Sequence, residues 1–213
     1  MQCLIVEPHA DDAVYSCYPV LLSANQGEIS LDTLTVSADG DRKPENIRKR
    51  FLVGQTFDFL LTDYYNWMEL AADAATDYID SFRHYREHYP QYATMLQKMR
   101  EFAFADYDKI YCPFGLVHPM HSVVRQAVDE VADLSKVVYY VEQPYLQLET
   151  GKLWQSQMLP DARSLSRYKV DLSSVRSAIE EIYGAGHAGV VNEYPYKYNY
   201  LVKDYYKFAR NTA

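Results

Sequence analysis

Two short histidine-containing motifs carry the residue types that hydrolytic metal sites use. The first is Pro8-His9-Ala10-Asp11-Asp12, directly after an apolar segment, and the second is His118-Pro119-Met120-His121, much later in the chain. Neutral imidazole and carboxylate groups are the nitrogen and oxygen ligands that a catalytic zinc ion takes in sets of three, leaving one position for water. Together the motifs predict a site for metal-assisted hydrolysis.

His9, Asp12 and His121 form the predicted ligand set. His9 and Asp12 are close enough in sequence for both side chains to converge on one ion at a strand-to-helix turn. His121 supplies the third ligand from a distant part of the chain, so the fold itself positions it. We expect one zinc ion per chain, and another divalent metal would suit the same ligands.

Asp11 and His118 are the titratable groups that this ligand set leaves over. A zinc ion lowers the pKa of its bound water to about 7, so the neighbouring Asp11 carboxylate can take a proton from that water at neutral pH. His118, as an imidazolium, can stabilise an oxyanion or protonate a leaving amine. A simpler alternative is that Asp11 and Asp12 only cap the first helix, where acidic side chains complement the helix dipole.

Both motifs follow predicted strands, at residues 2–7 and 109–113, and each precedes a predicted helix. Strands that alternate with helices predict a Rossmann-like three-layer α/β fold, with a mostly parallel sheet flanked by helices. In such folds ligands bind beyond the carboxyl ends of the strands, so both motifs should meet on one rim of the sheet. The other predicted strands are residues 29–36, 57–61, 136–141 and 168–171. Helices are predicted over residues 10–25, from Pro44 to about residue 53, over most of 66–104, over 118–134, and from Ser173 or Ser174 to Gly184.

Composition and length restrict the function classes. The net charge of −8 argues against nucleic acid and anionic membranes as main partners. Three scattered cysteines indicate reduced core residues, and no apolar run is long enough to span a membrane. With a strand at the N-terminus and no signal-peptide pattern, we expect a cytoplasmic protein. The 213 residues suit a single domain over 1–213, in which residues 187–213 form a tyrosine-rich C-terminal extension.

The tyrosine-rich extension and three further histidines have less specific interpretations. Tyr194, Tyr196, Tyr198 and Tyr200 alternate at the period of a strand, which fits an aromatic edge packed on the body or buried between subunits. A homo-oligomer is therefore expected, and a wall that stacks sugar rings is the alternative. His84 and His88 have metal-like spacing but lie in a polar run typical of an exposed helix face, and His187 is expected in a turn.

With these two histidine motifs, the chain resembles the LmbE/PIG-L family of zinc-dependent N-deacetylases. The first strand of that family ends in a Pro-His-Pro-Asp-Asp-Glu-type motif, and a later His-Pro-Asp-His-type segment supplies its second half. The resemblance extends to the segments Thr35–Gly40, Asp108–Gly115 and Tyr140–Pro144.

The resemblance implies an activity and a role for each site residue. It implies His9, Asp12 and His121 as zinc ligands, Asp11 as general base and His118 as the group that stabilises the tetrahedral intermediate. Arg48 resembles an arginine that holds substrate in some members. The implied reaction removes an N-acyl group, most simply acetyl, from an amino sugar such as N-acetylglucosamine or from a sugar conjugate.

Four departures from the family pattern leave an alternative open. Ala10 replaces a proline, Ala13 replaces a glutamate that could orient its neighbours, and Met120 replaces an acidic residue. Residues 15–18 (Tyr-Ser-Cys-Tyr) replace smaller ones and predict a bulkier rim beside the metal. The alternatives are hydrolysis of another amide or a thioester, and a metal-retaining, non-catalytic module for ligand binding or assembly. Sugar binding without acetate release would indicate the module.

Overall fold

The computed structural model describes residues 1–37, 43–61, 85–115, 118–148, 165–193 and 195–203. The strands in these segments are β1 (Gln2–Glu7), β2 (Ser30–Ser37), β3 (Thr56–Leu61), β4 (Lys109–Pro113), β5 (Val137–Tyr140), β6 (Leu165–Lys169) and β7 (Tyr198–Lys203). They form one sheet in the order β3-β2-β1-β4-β5-β7-β6. One sheet therefore runs through all the described segments.

The sheet is mostly parallel, as predicted. The pairs β3–β2, β2–β1, β1–β4 and β4–β5 are parallel, whereas β7 is antiparallel to both β5 and β6. β7 falls within the segment predicted as a C-terminal extension, yet it lies between two other strands of the sheet. Residues Tyr198–Lys203 of the tyrosine-rich region are therefore built into the sheet.

Helices cover both faces of the sheet and complete the predicted three layers. The α-helices are α1 (Asp12–Ser16), α2 (Tyr18–Asn25), α3 (Tyr92–Glu101), α4 (Pro119–Val131), α5 (Leu172–Tyr183) and α6 (Ala185–Glu193). Short 3-10 helices span Pro44–Lys49, Phe104–Asp106, Leu134–Lys136 and Tyr145–Gln147. No helix in the described segments is long and apolar enough to cross a bilayer.

The core has two halves because β1 is buried on both faces. Leu4 and Val6 pack with α3 and α4 on one side, whereas Cys3 and Ile5 pack with α1, α2, α5 and α6 on the other. Side chains alternate between the faces of a strand, so a continuous apolar run is the sequence of a strand covered by helices on both sides. The three cysteines are buried and free, as predicted.

The structure differs from several sequence predictions at helix ends. The helix predicted over 10–25 is divided into α1 and α2 around Cys17, two residues before Pro19. The segment after Pro44 is a short 3-10 helix rather than an α-helix. Asp171, not Ser173 or Ser174, caps α5, because its carboxylate accepts a hydrogen bond from the Ser173 amide. Of the helix predicted over 66–104, residues 62–84 lie outside the described segments, and α3 forms the later part.

The strand order changes direction between β1 and β4. From β1 the chain adds β2 and β3 on one side, and later places β4 and β5 on the other. A crevice opens beyond the carboxyl ends of the strands at such a switch point, and it is where doubly wound folds bind ligands. The two histidine motifs follow these two strands, so the topology places both at this crevice.

Candidate metal centre

His9, Asp12 and His121 come together at the switch point. One potential ligand atom from each lies within 4.8 Å of the others, and all three side chains are buried. His121 Nε2 is 3.3 Å from Asp12 Oδ1, and His9 Nδ1 is 3.2 Å from Asp12 Oδ2. The predicted ligand set is thus a compact cluster of one carboxylate and two imidazoles.

The cluster suits a divalent cation by two physical criteria. Both ring nitrogens of His121 are buried and make no hydrogen bond to another described residue, which is costly unless something else binds them. Two ligands bound at about 2.0–2.1 Å to a tetrahedral ion lie about 3.3 Å apart, the separation between His121 and Asp12. The residues present therefore fit a metal ion.

The turn that carries His9 and Asp12 is closed by its own hydrogen bonds. The Asp12 amide donates to the His9 carbonyl at 3.2 Å, and the His9 amide donates to Asp12 Oδ2 at 2.8 Å. Burial opposes ionisation of the Asp12 carboxyl, but the adjacent His121 and His9 outweigh it and lower its pKa below the usual range. The two imidazoles thus favour the carboxylate form of Asp12, which is the form that binds a cation.

Asp11 lies at the start of α1, next to the ligands. It occupies the N-cap position and is 7% exposed, and its side chain makes no capping hydrogen bond. The Asp12 carboxylate does not cap the helix either, because it accepts its hydrogen bond from the His9 amide, which lies before the helix. Neither carboxylate therefore makes the hydrogen bond of a helix cap, although Asp12 lies in the first turn, where a negative charge complements the helix dipole. Asp11 as a general base stays a prediction.

His118 lies beside two of the predicted ligands. Its ring centroid is 4.9 Å from that of His9 and 5.1 Å from that of His121. His118 is the N-cap of α4, and its Nδ1 accepts a hydrogen bond from the Met120 amide at 3.2 Å. A nitrogen that accepts carries no proton, so this geometry favours a neutral imidazole with hydrogen on Nε2 rather than the predicted imidazolium.

Two fully buried glutamates adjoin the site, and sequence reasoning assigned them no role. Glu142, just after β5, places Oε1 3.3 Å from His121 Nδ1. Glu7, at the end of β1, accepts hydrogen bonds from the Ala13 amide and the Thr35 hydroxyl. Burial raises the pKa of Glu7 to about 8. The sequence contained one signal for both glutamates, which is an acidic residue at the end of an apolar strand. Burial of such a side chain is costly unless it has a partner, so its position there indicates a specific role.

Tyr145 is a third residue that sequence reasoning missed. Its half-buried ring lies 5.3 Å from the His121 ring and 5.8 Å from the His118 ring, measured between centroids. Tyr145 sits in the 3-10 helix after β5, and nothing in its local sequence distinguishes it from the many other tyrosines. Its position adds an aromatic side chain beside both histidines of the second motif.

The expectation of a bulky rim at residues 15–18 is wrong. Tyr15 and Tyr18 are 5% and 4% exposed, and both belong to the core on the α1 side of the sheet. The Tyr15 hydroxyl donates to the His187 carbonyl, and Tyr18 packs edge-on against Phe51. Both side chains therefore belong to the core and do not form an exposed rim.

Arg48 is not brought together with the other predicted site residues. It is exposed on the 3-10 helix after β2, and its Nη2 donates to the Gly54 carbonyl. The Gly54 amide in turn bonds the carbonyl of Leu31, at the amino end of β2 and thus at the edge of the sheet opposite the metal centre. A role for Arg48 in substrate binding stays a prediction from the resemblance.

The remaining histidines and tyrosines lie apart from the ligand cluster or outside the described segments. His88 is exposed, as predicted, and His84 and Tyr194 are not among the described residues. His187 lies within α6 rather than in a turn, with its ring beside that of Tyr183. Tyr196 is buried, and the half-buried rings of Tyr198 and Tyr200 pack together on β7.

Comparisons with known proteins identify the fold. No protein-family model matches the chain, and no curated protein matches its sequence. Among solved structures, a deacetylase of teicoplanin biosynthesis, in complex with teicoplanin, superposes with a TM-score of 0.57 and 17% identity over 95% of this chain and 98% of that chain. The zinc-inhibited form of teicoplanin deacetylase gives a TM-score of 0.50 and 14% identity, covering 94% and 97% of the two chains.

A conserved protein from Thermus thermophilus also matches, with a TM-score of 0.53 and 15% identity over 95% of this chain and 94% of that chain. The matched proteins have the LmbE/PIG-L fold. At these identities the likeness establishes a shared fold, which agrees with the fold that the motifs predicted.

Proposed function

We propose that this protein is a metal-dependent hydrolase that removes an N-acyl group, most simply acetyl, from an amino sugar or a sugar conjugate. The observation that carries the proposal is the buried convergence of His9, Asp12 and His121 at the sheet's switch point. Asp11 and His118 lie next to this cluster, so Asp11 can serve as the base and His118 as a hydrogen-bond donor. The fold shared with deacetylases that act in antibiotic biosynthesis supports an amide of a sugar-type molecule as substrate.

The chain's own residues divide the reaction among them. His9, Asp12 and His121 would hold a divalent metal ion, which would act as a Lewis acid and lower the pKa of water. Asp11 accepts the proton that water loses as its oxygen attacks the amide carbon. His118, with hydrogen on Nε2, donates a hydrogen bond to the carbonyl oxygen as it becomes negative. Asp11 then returns the proton to the amide nitrogen, and the carbon–nitrogen bond breaks to release acetate and an amine.

Zinc, at one ion per chain, is the proposed metal because two imidazoles and one carboxylate with an open fourth position are typical of catalytic zinc. The same donors also bind other divalent ions. A solved structure of teicoplanin deacetylase is described as a zinc-inhibited form. Metal-free protein should therefore be reconstituted with graded amounts of Zn²⁺, Co²⁺ and Mn²⁺, so that activation at one equivalent is separated from inhibition by excess.

The decisive experiment measures acetate release from a panel of N-acetylated amino sugars and sugar conjugates, together with the metal content of each variant. Wild-type protein should release acetate, and Asp11→Asn should lose activity by about 100-fold or more while it keeps its metal, because only the base is removed. Asp106→Asn, the same chemical change at an exposed position, is the matched control and should behave as wild type. Full activity of Asp11→Asn on a true substrate contradicts the mechanism.

The same panel distinguishes the alternatives. Bound metal and tight sugar binding without any acetate release would indicate a non-catalytic module. Two features first suggested that module, the bulky residues 15–18 and the missing carboxylate at Ala13. The buried positions of Tyr15 and Tyr18 weaken the first, because neither side chain lies on an exposed rim. The Glu7 carboxyl group that bonds the Ala13 amide weakens the second, because it places another acidic side chain there. If the protein hydrolyses other amides or thioesters but no N-acetylated sugar, the proposed metal site stands and the proposed substrate class is wrong.

A further inference from the structure

Glu142 is a fully buried carboxylate on the far side of a proposed metal ligand. The His121 ring lies between two carboxylates, with Nε2 3.3 Å from Asp12 Oδ1 and Nδ1 3.3 Å from Glu142 Oε1. His121 and Glu142 are both completely excluded from solvent. Each ring nitrogen therefore has a carboxylate oxygen 3.3 Å away, in an environment where a buried nitrogen needs a partner.

The two nitrogens of a metal-bound histidine have different tasks. One binds the metal, and the other N–H normally donates to a carboxylate or carbonyl, which fixes the tautomer and makes the ring a better ligand. We propose that Glu142 is the positioning residue of the metal centre, which holds His121 with hydrogen on Nδ1 and directs Nε2 toward the metal. This inference rests on the proposed metal site and adds to it a residue that binds no metal itself.

A second contact extends the role of Glu142 to Gly115, three residues before His118. Its Oε1 also accepts a hydrogen bond from the Gly115 amide, and the Ser122 hydroxyl donates to the Gly115 carbonyl at 2.9 Å. Gly115 has a φ of 90°, a left-handed conformation that favours glycine. One carboxylate thus fixes the His121 ring and the chain just before His118.

Charge is the property of Glu142 that the proposal requires. A negative carboxylate beside Nδ1–H increases the electron density that His121 offers to a cation, and a neutral amide of the same shape does so less. Glu142→Gln keeps the size of the side chain and an oxygen that can accept from Gly115. It therefore separates the effect on the metal from simple loss of packing.

The first test is titration of metal-free protein with Zn²⁺ and with Co²⁺ against a competing chelator. Glu142→Gln should bind each metal about 10- to 100-fold more weakly than wild type, and Glu142→Ala at least as weakly. Asp32→Asn is the matched control, because Asp32 is a buried carboxylate at the amino end of β2 that accepts from the Gln55 amide and the Tyr107 hydroxyl. It should lower stability and leave metal affinity unchanged.

Equal metal affinity of Glu142→Gln and wild type overturns the inference, as does an equal loss of affinity in Asp32→Asn. If the Glu142 variants do not fold, ¹⁵N NMR of the zinc-loaded wild-type protein decides the matter. His121 should show a protonated Nδ1 and a metal-bound Nε2, and the reverse assignment contradicts the role of Glu142. Wild-type protein that binds no divalent metal overturns the metal site itself, and the inference with it.

Discussion

The Tyr196 hydroxyl donates a 2.8 Å hydrogen bond to the backbone carbonyl of Tyr15, in the short helix that follows the first histidine motif. In a continuous helix this carbonyl would accept from the residue four positions later, but that residue is Pro19, which has no N–H. The side-chain Nδ2 of Asn199 donates to the same carbonyl, also at 2.8 Å. Residues near the end of the chain thus satisfy a buried backbone group that the α1–α2 break leaves open.

Removal of both donors should cost more than the sum of the single changes. Tyr196→Phe and Asn199→Ala should each lower the free energy of unfolding by about 1 kcal/mol, because the other donor still bonds the Tyr15 carbonyl. The double variant leaves that buried carbonyl without either donor, which should add about 1–3 kcal/mol. Urea denaturation of the four proteins measures the coupling. Tyr168→Phe, at an exposed edge-strand tyrosine, should change little, and strict additivity would contradict the shared role.

The parts of the fold and site that the sequence predicted depend on local patterns. β1 and β4 are short, mostly apolar segments, and a histidine motif follows each of them in the sequence. Their positions, and the rim that carries His9, Asp12 and His121, therefore follow from the sequence alone. The antiparallel end of the sheet could not be predicted, because β7 pairs with β5, a strand that is far from it in the sequence. Strand pairing of that kind depends on packing rather than on any local signal.

The remaining differences depend on contacts in the folded chain that no pattern in the sequence signals. In the sequence Glu142 is an ordinary polar residue after a strand. Only the fold shows that it contacts His121 and Gly115. The neutral form of His118 follows from its capping bond to the Met120 amide, which requires the geometry of the helix start. The buried position of Tyr15 depends on the partners that α6 and the C-terminal tyrosines provide.

Glu7 should make the metal-free protein less stable as the pH rises. Burial raises the pKa of its carboxyl to about 8 from an ordinary value near 4.5, so the folded protein holds this proton more tightly than the unfolded chain. The contribution is therefore complete below about pH 4.5 and is lost as the pH rises to about 8. A difference of one pKa unit corresponds to about 1.4 kcal/mol, so the loss is on the order of a few kcal/mol.

Glu7→Gln provides the comparison for this pH dependence. An amide in place of the carboxyl keeps an oxygen for the Ala13 amide and can donate to the Thr35 hydroxyl, and it does not ionise. Urea unfolding of the metal-free proteins at pH 5.5 and 8.5 should show a marked loss of stability for wild type and a smaller loss for the variant. Parallel profiles for the two proteins would show that Glu7 is not the group responsible.

Two substitutions of His118 should separate its capping role from its proposed catalytic role. His118→Asn keeps an acceptor at the N-cap of α4, whereas His118→Ala removes it and should cost about 1 kcal/mol of stability. Both remove the imidazole N–H, so both should lower kcat by about 100- to 1000-fold with metal content unchanged. Thermal unfolding and steady-state kinetics measure the two effects. A kcat of the alanine variant close to that of wild type would exclude His118 from oxyanion stabilisation, because alanine has no side-chain donor.

Removal of the metal should destabilise the protein, and two adjacent aspartates should respond differently. A ligand that binds only the folded state stabilises it by about 4 kcal/mol at a free concentration 1000 times its dissociation constant, so a chelator should lower the melting temperature of wild type. Asp11→Asn should keep this chelator-dependent shift because it spares the ligand set, whereas Asp12→Asn should lose most of it because Asp12 contacts both ligand histidines. Differential scanning calorimetry with and without chelator measures the shift for each protein. Equal shifts in the two variants would mean that Asp12 does not bind the metal.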